Sequence, residues 1–119
     1  MMQKRILIAE DESGSRELIT IHAENNGYEV FAVNDGVDLL TASLNERFDL
    51  IITDLMMADL NGASATEIMK MNGNTVPVIA VTALTEENIQ DVTDKFVKVF
   101  HKPCNYKELF LYVELLIGK

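Results

Sequence analysis

Five short apolar runs, each separated from the next by a segment with helix chemistry, constrain this chain more than any other feature. The runs are Arg5–Ala9, Tyr28–Val33, Leu50–Thr53, Val78–Val81 and Val97–Phe100. Most are rich in Val, Ile and Phe, and three are apolar almost throughout, the pattern of strands covered on both faces. Between them, Ser13–Asn26 carries Leu18, Ile19, His22 and Ala23 at helical spacing and stops at Gly27, a residue suited to the position just past a helix end. Gly36–Leu44 follows, then Gly62–Met71, with Ala65, Ile68 and Met69 on one side and Gly73 beyond its end. Thr85 precedes Glu86 and Glu87 as an N-cap precedes acids that complement the helix dipole. Asn105 to Glu108 has capping-box spacing, with Asn as the cap.

Strands alternating with helices imply an α/β fold: one five-stranded parallel sheet with helices on both faces. Short right-handed connections then favour the strand order 2-1-3-4-5, the doubly wound, flavodoxin-like arrangement. Composition is uniform along the 119 residues and 48% of them are apolar, so residues 1–119 are expected to form a single domain with a real core. In such sheets ligands bind beyond the carboxyl ends of the strands, at the switch between strands 1 and 3.

The residues expected at that edge are chemically coherent. The first run leads into Glu10, Asp11 and Glu12, the third into Asp54, the fourth into Thr82 and the fifth into Lys102. Two carboxylates about 5 Å apart repel by about 3 kcal/mol at an effective dielectric near 20, so such a cluster calls for a cation. Hard divalent cations take oxygen ligands, and Mg²⁺ commonly uses one or two carboxylates plus water and phosphate oxygens. Asp11 and Asp54 can share such an ion. A phosphoryl group on Asp54 would have one oxygen neutralised by Mg²⁺, a second by Lys102 and a third bonded by Thr82. Those are the needs of phosphoryl transfer to a carboxylate nucleophile.

The motifs ILIAEDE, FDLIITDLMMADLNG, VPVIAVTA and FHKP, in this order and spacing, resemble the receiver domain of two-component response regulators over essentially the whole chain. The resemblance implies that Asp54 accepts phosphate from a phosphohistidine of a sensor histidine kinase or a histidine phosphotransfer protein. It implies Mg²⁺ held by Asp11, Asp54 and the backbone carbonyl of Met56, with Glu10 helping through water. Thr82 and Lys102 would hold the phosphoryl oxygens, Ala83 would leave room for them, and the Lys102–Pro103 bond would be cis. Such a domain is a phosphoacceptor switch that supports its own phosphorylation and autodephosphorylation, not a turnover enzyme. Its output surface would be the fourth helix, fifth strand and fifth helix.

Several positions depart from the family pattern. Ala58 stands where proline is usual, and Val99 where an aromatic switch residue is usual. The stretch from Thr82 to Lys102 is about two residues shorter than usual and lacks the Gly-Ala-Asp that often precedes the last strand. Met56 and Leu84, two residues beyond Asp54 and Thr82, are both apolar, and the resemblance implies that these positions flank the route of an attacking water.

Other classes fit less well. A flavodoxin-like cofactor binder needs Gly, Ser and Thr after the first strand, where three acids stand. A phosphatase acting through an aspartyl-phosphate needs a second acid where Met56 stands. A pseudo-receiver, a phosphorylation-independent interaction module, is the alternative that Ala58 and Val99 keep open. The formal net charge of −9 argues against direct nucleic-acid contact, and no apolar run reaches the ~20 residues of a membrane span. The N-terminus lacks the pattern of a signal peptide and the single cysteine excludes an internal disulfide, so a soluble, cytoplasmic protein is expected.

Residues outside the edge receive plainer readings. Glu12 is read as solvated or as part of the approach to the first helix, His22 as partly packed, His101 as a strand-end surface residue and Cys104 as a packed bystander. On the last helix, Tyr106, Leu109, Phe110, Val113, Leu116 and Ile117 form a stripe expected on the sheet. Leu111, Tyr112 and Leu115 fall opposite and are the candidate surface for a homodimer or effector.

Overall fold

The computed structural model describes residues 3–119. In chain order its elements are β1 (Arg5–Ala9), α1 (Ser13–Asn25), β2 (Glu29–Val33), α2 (Gly36–Asn45), β3 (Leu50–Thr53), α3 (Gly62–Met71), β4 (Val78–Thr82), α4 (Glu86–Ile89), β5 (Lys98–His101) and α5 (Tyr106–Ile117). The five strands form one parallel sheet in the expected order β2-β1-β3-β4-β5.

Period-2 alternation sorts the strand residues between two cores. Ile6 and Ile8 of β1, Leu50 and Ile52 of β3, and Ile79 and Val81 of β4 pack with Ile19 and Ala23 of α1 and Leu109, Phe110 and Val113 of α5. Leu7, Ala9, Ile51, Val78 and Ala80 pack on the other side with Leu39 of α2, Ala65 and Met69 of α3 and Ile89 of α4. Helices α1 and α5 therefore cover one face, and α2, α3 and α4 the other. Each fully buried aliphatic side chain contributes about 1.5–3 kcal/mol, so the three central strands anchor the fold. No helix among the described residues is long and apolar enough to cross a membrane.

Caps fix where the helices begin. Asn105 accepts from the Glu108 N–H at 3.1 Å, as its spacing predicts. Glu12 is exposed at the approach to the first helix, in line with its reading, and there it caps α1, accepting from the N–H groups of Gly14 and Ser15 at 3.0 and 2.6 Å. Those bonds hold its carboxyl below the usual carboxylate range.

Two regions differ from the sequence pattern. Thr85 stands at the N-cap of α4 but makes no side-chain cap bond, and α4 spans four residues before a 3₁₀ turn at Thr93–Lys95. Only Ile89 of α4 is buried; Asn88, Asp91, Thr93 and Asp94 compete with the backbone for its own hydrogen bonds and favour turns. On α5, Leu116 is exposed, contrary to the expected stripe. Tyr112 is instead half-buried, its ring set edge-on to Phe100 at 5.9 Å and its hydroxyl donating to the Val97 carbonyl at 3.3 Å. Leu111 and Leu115 remain exposed.

Candidate functional site

Four strand ends deliver the site. The Asp54 N–H donates to the Ala9 carbonyl at 3.0 Å and the Lys102 N–H to the Thr82 carbonyl at 2.8 Å, so the ladder continues one residue past each strand. That continuation sets Glu10, Asp54, Thr82 and Lys102 side by side at the carboxyl edge. The loop from β3 to α3 folds back closely enough that Gly62 lies against the Asp54 backbone. A Cβ there would sit 2.1 Å from the Asp54 carbonyl oxygen, so only glycine fits.

The Lys102 ammonium bridges the two buried acids, donating to Glu10 Oε1 and to Asp54 Oδ2, the latter at 2.7 Å. The remaining oxygens are also engaged: Asp54 Oδ1 accepts from the Met56 N–H and Glu10 Oε2 from the Glu12 N–H, both at 3.1 Å. Burial pushes the Glu10 carboxyl above the ordinary carboxylate range, against the opposing bond from Lys102. Burial also works against the Lys102 ammonium, but its bonds to Asp54 and Glu10 win and raise it above the ordinary lysine value.

Asp11 is exposed and completes the cluster: carboxylate oxygens of Glu10, Asp11 and Asp54 lie within 4.8 Å of one another. Three carboxylates facing one ammonium keep the site negative. The donors are all hard oxygens, the set a hard divalent cation selects, so the residues present fit such an ion.

Thr82 is fully buried at the end of β4, and its Oγ1 accepts from the Leu84 N–H at 3.1 Å. Ala83 beside it is exposed, and the Lys102–Pro103 bond is cis. Val99 packs in the core between the sheet and α2–α4. A cleft of about 470 Å³ opens beside the acids, lined by Asp11, Leu55, Met56, Leu84, Ile89 and Val92 among others.

His22 is half-buried and stacks on Tyr106 at 4.9 Å. Cys104 packs against the α1–α5 core, and burial pushes its thiol up, away from reactivity. His101 does more than end a strand: its Nδ1 bonds the Leu84 carbonyl at 2.9 Å. Arg16 belongs to none of the site motifs, yet its guanidinium donates to the backbone carbonyl of Glu10 at 2.9 Å and, more weakly, that of Asp11 at 3.5 Å. A basic residue in the first turns of α1, one turn beyond the acids, was the available signal.

Fold and site together define a flavodoxin-like α/β domain with an acidic cluster at the carboxyl edge of its sheet, and comparison with known proteins assigns its family. The model of the response regulator receiver domain matches residues 6–114, and the chain belongs to that family of two-component signalling domains. Over 113 residues, 91% of its length, the chain is 29% identical to the DNA-binding response regulator MtrA of Mycobacterium tuberculosis, covering 48% of that protein. The chain spans less than half the length of such curated relatives. A Francisella response regulator receiver domain superposes with a TM-score of 0.90 at 27% identity, over 97% of both chains. The receiver domain of a Pseudomonas aeruginosa sensor histidine kinase, with a magnesium ion coordinated in its active-site cleft, gives 0.89 at 28% identity, over 99% of this chain and 100% of that one.

Proposed function

We propose that this domain accepts a phosphoryl group on Asp54 from a phosphohistidine of a sensor histidine kinase or histidine phosphotransfer protein, and that the phosphorylated form presents an altered interaction surface. The observation that carries this reading is the Lys102 ammonium held against Asp54 by a second buried acid, Glu10. A carboxylate nucleophile needs a cation close by that a phosphoryl group can share, and that cation is already in place.

In the step proposed, a carboxylate oxygen of Asp54 attacks phosphorus. A P–O bond forms as the P–N bond to the donor imidazole breaks, and the nitrogen keeps the electron pair. Lys102 meets charge developing on the phosphoryl oxygens without reorganising from solvent. Thr82 accepts from the Leu84 N–H, so its own hydroxyl proton stays free to donate to a phosphoryl oxygen. Exposed Ala83 adds no bulk beside it. A divalent cation, Mg²⁺ by analogy with the Pseudomonas neighbour, would be held by Asp11, Asp54 and the Met56 carbonyl, with Glu10 acting through water. When bound, it supplies further neutralisation of the phosphoryl oxygens. On this reading residues 1–119 are a phosphoacceptor unit that supports its own phosphorylation and autodephosphorylation, and its effector or dimer contacts use α4, β5 and α5.

The test is incubation with a small-molecule phosphodonor and Mg²⁺, with and without chelator, followed by intact mass. The wild type should gain one phosphoryl group only with the metal, and Asp54→Asn should gain none. A wild type that stays unmodified would favour the pseudo-receiver instead.

A further inference from the structure

From the contacts around Leu84 we infer that His101 is a positioning residue for the switch: it anchors the loop after β4 so that the Thr82 hydroxyl and the start of α4 move together. This rests on Asp54 being the phosphoacceptor, and it names a device that takes the place of the missing aromatic at position 99.

Leu84 is fixed from both ends. Its N–H donates to Thr82 Oγ1 at 3.1 Å, and its carbonyl accepts from His101 Nδ1 at 2.9 Å. A carbonyl is only an acceptor, so Nδ1 is the protonated ring nitrogen. The far side of the ring, Nε2, stands 3.6 Å from the Glu86 carboxylate in the first turn of α4. His101 itself is held in register, because it pairs with Thr82 across the β4–β5 ladder.

Val99 and His101 are two residues apart on β5 and so lie on the same face of the sheet, the α4 face, with His101 nearer the site. Val99 is packed, apolar and has no group to bond. His101 is the side chain on that face with a donor that reaches the loop. The two bonds act in series on one residue: losing either frees the Leu84 peptide and with it the entry to α4. When Thr82 turns its hydroxyl toward a phosphoryl oxygen, the Leu84 N–H bond is disturbed, and the His101 bond determines whether α4 responds.

The α4 turn is short enough for this to matter. It holds few bonds of its own, among them Asn88 N–H to the Thr85 carbonyl at 3.0 Å and Val92 N–H to the Ile89 carbonyl at 2.9 Å. Their exchange rates report how well the loop is anchored.

The experiment is amide hydrogen exchange at Asn88 and Val92 in wild type, Thr82→Ala, His101→Phe, His101→Asn and the double variant Thr82→Ala/His101→Phe. Asn keeps a donor near the place of Nδ1; Phe keeps a ring and loses the donor. Thr82→Ala and His101→Phe should each speed exchange by about fivefold, as loss of one hydrogen bond does. The double variant should be no faster than the quicker single one, and His101→Asn should stay near wild type. Effects that multiply in the double variant, or a His101→Phe rate equal to wild type, would overturn the inference. A second arm adds a phosphodonor and Mg²⁺, with intact mass recording equal phosphoryl uptake by wild type, His101→Phe and His101→Asn. Phosphorylation should then change exchange in wild type and His101→Asn but not in His101→Phe. Failure of every form to take phosphate would remove Asp54 as acceptor, yet the unphosphorylated cycle would still decide the role of His101.

Discussion

Lys102 holds two buried carboxylates at once, and each of the three groups explains the others. Without the ammonium, Glu10 and Asp54 would be uncompensated charges in a poorly solvated edge. At single residues the expectations concern the lifetime of a phosphorylated form and the stability of the fold. Met56 is 57% exposed and shares the cleft with Leu84, two apolar side chains beside the approach to Asp54. Replacing Met56 by Asn should admit and orient water and shorten the phosphorylated half-life several-fold; an unchanged half-life would count against a water-excluding role. Far from the site, the buried Tyr28 donates to the Gly118 carbonyl at 2.7 Å. Tyr28→Phe should lower stability by about 1 kcal/mol, read from urea unfolding at neutral pH. Burial raises the Tyr28 hydroxyl above its ordinary value of 10.0. A raised folded value means that the group's contribution is complete below that ordinary value and is lost as pH climbs through the folded one. The gap between wild type and Tyr28→Phe should therefore narrow in alkali, and a constant gap would contradict this.

At the scale of elements, the β3–α3 loop and α5 carry the sharpest expectations. Gly62 touches the Asp54 backbone, so Gly62→Ala must push the loop off the strand end. It should cost about 2 kcal/mol or more, an overpacking effect, and show as a lowered thermal midpoint; a neutral result would mean that the loop yields freely. Leu111 and Leu115 stand exposed on α5 at 56% and 86%. Changing both to Glu should leave the fold intact and abolish any self-association or effector binding through this face. A solution mass unmoved by the change would exclude a dimer there. What the sequence made legible follows from how local each signal is. The strands were plain because β1, β3 and β4 are buried along nearly their whole length and so carry unbroken apolar runs. The Asn105 cap was plain because capping acts over three residues. Glu12 was hidden as a cap inside a run of acids. The extent of α4 was hidden because a good start signal at Thr85 to Glu87 says nothing of where a helix fails. Tyr112 was misplaced because its long side chain reaches around the helix edge to Phe100, a contact that periodicity alone does not register.

For the whole molecule, one topological fact arranges the rest. A parallel sheet of order 2-1-3-4-5 brings the ends of β1, β3, β4 and β5 together at one edge, so that residues as distant in sequence as Glu10 and Lys102 meet. The motif order already implied this convergence. The bridging role of the Lys102 ammonium, and the part played by Arg16 and His101, depend on side-chain directions that only three-dimensional packing sets. Phosphorylation at that edge would add negative charge where Lys102, Thr82 and a divalent cation can compensate it, and would shift the population of the α4–β5–α5 face. The most direct test uses a phosphorylated histidine phosphotransfer protein as donor in the presence of Mg²⁺, then borohydride reduction, which converts an aspartyl acyl phosphate to homoserine, and peptide sequencing. Homoserine is expected at position 54 and nowhere else; label on another residue, or none after the donor has been consumed, would rule out Asp54 as the acceptor.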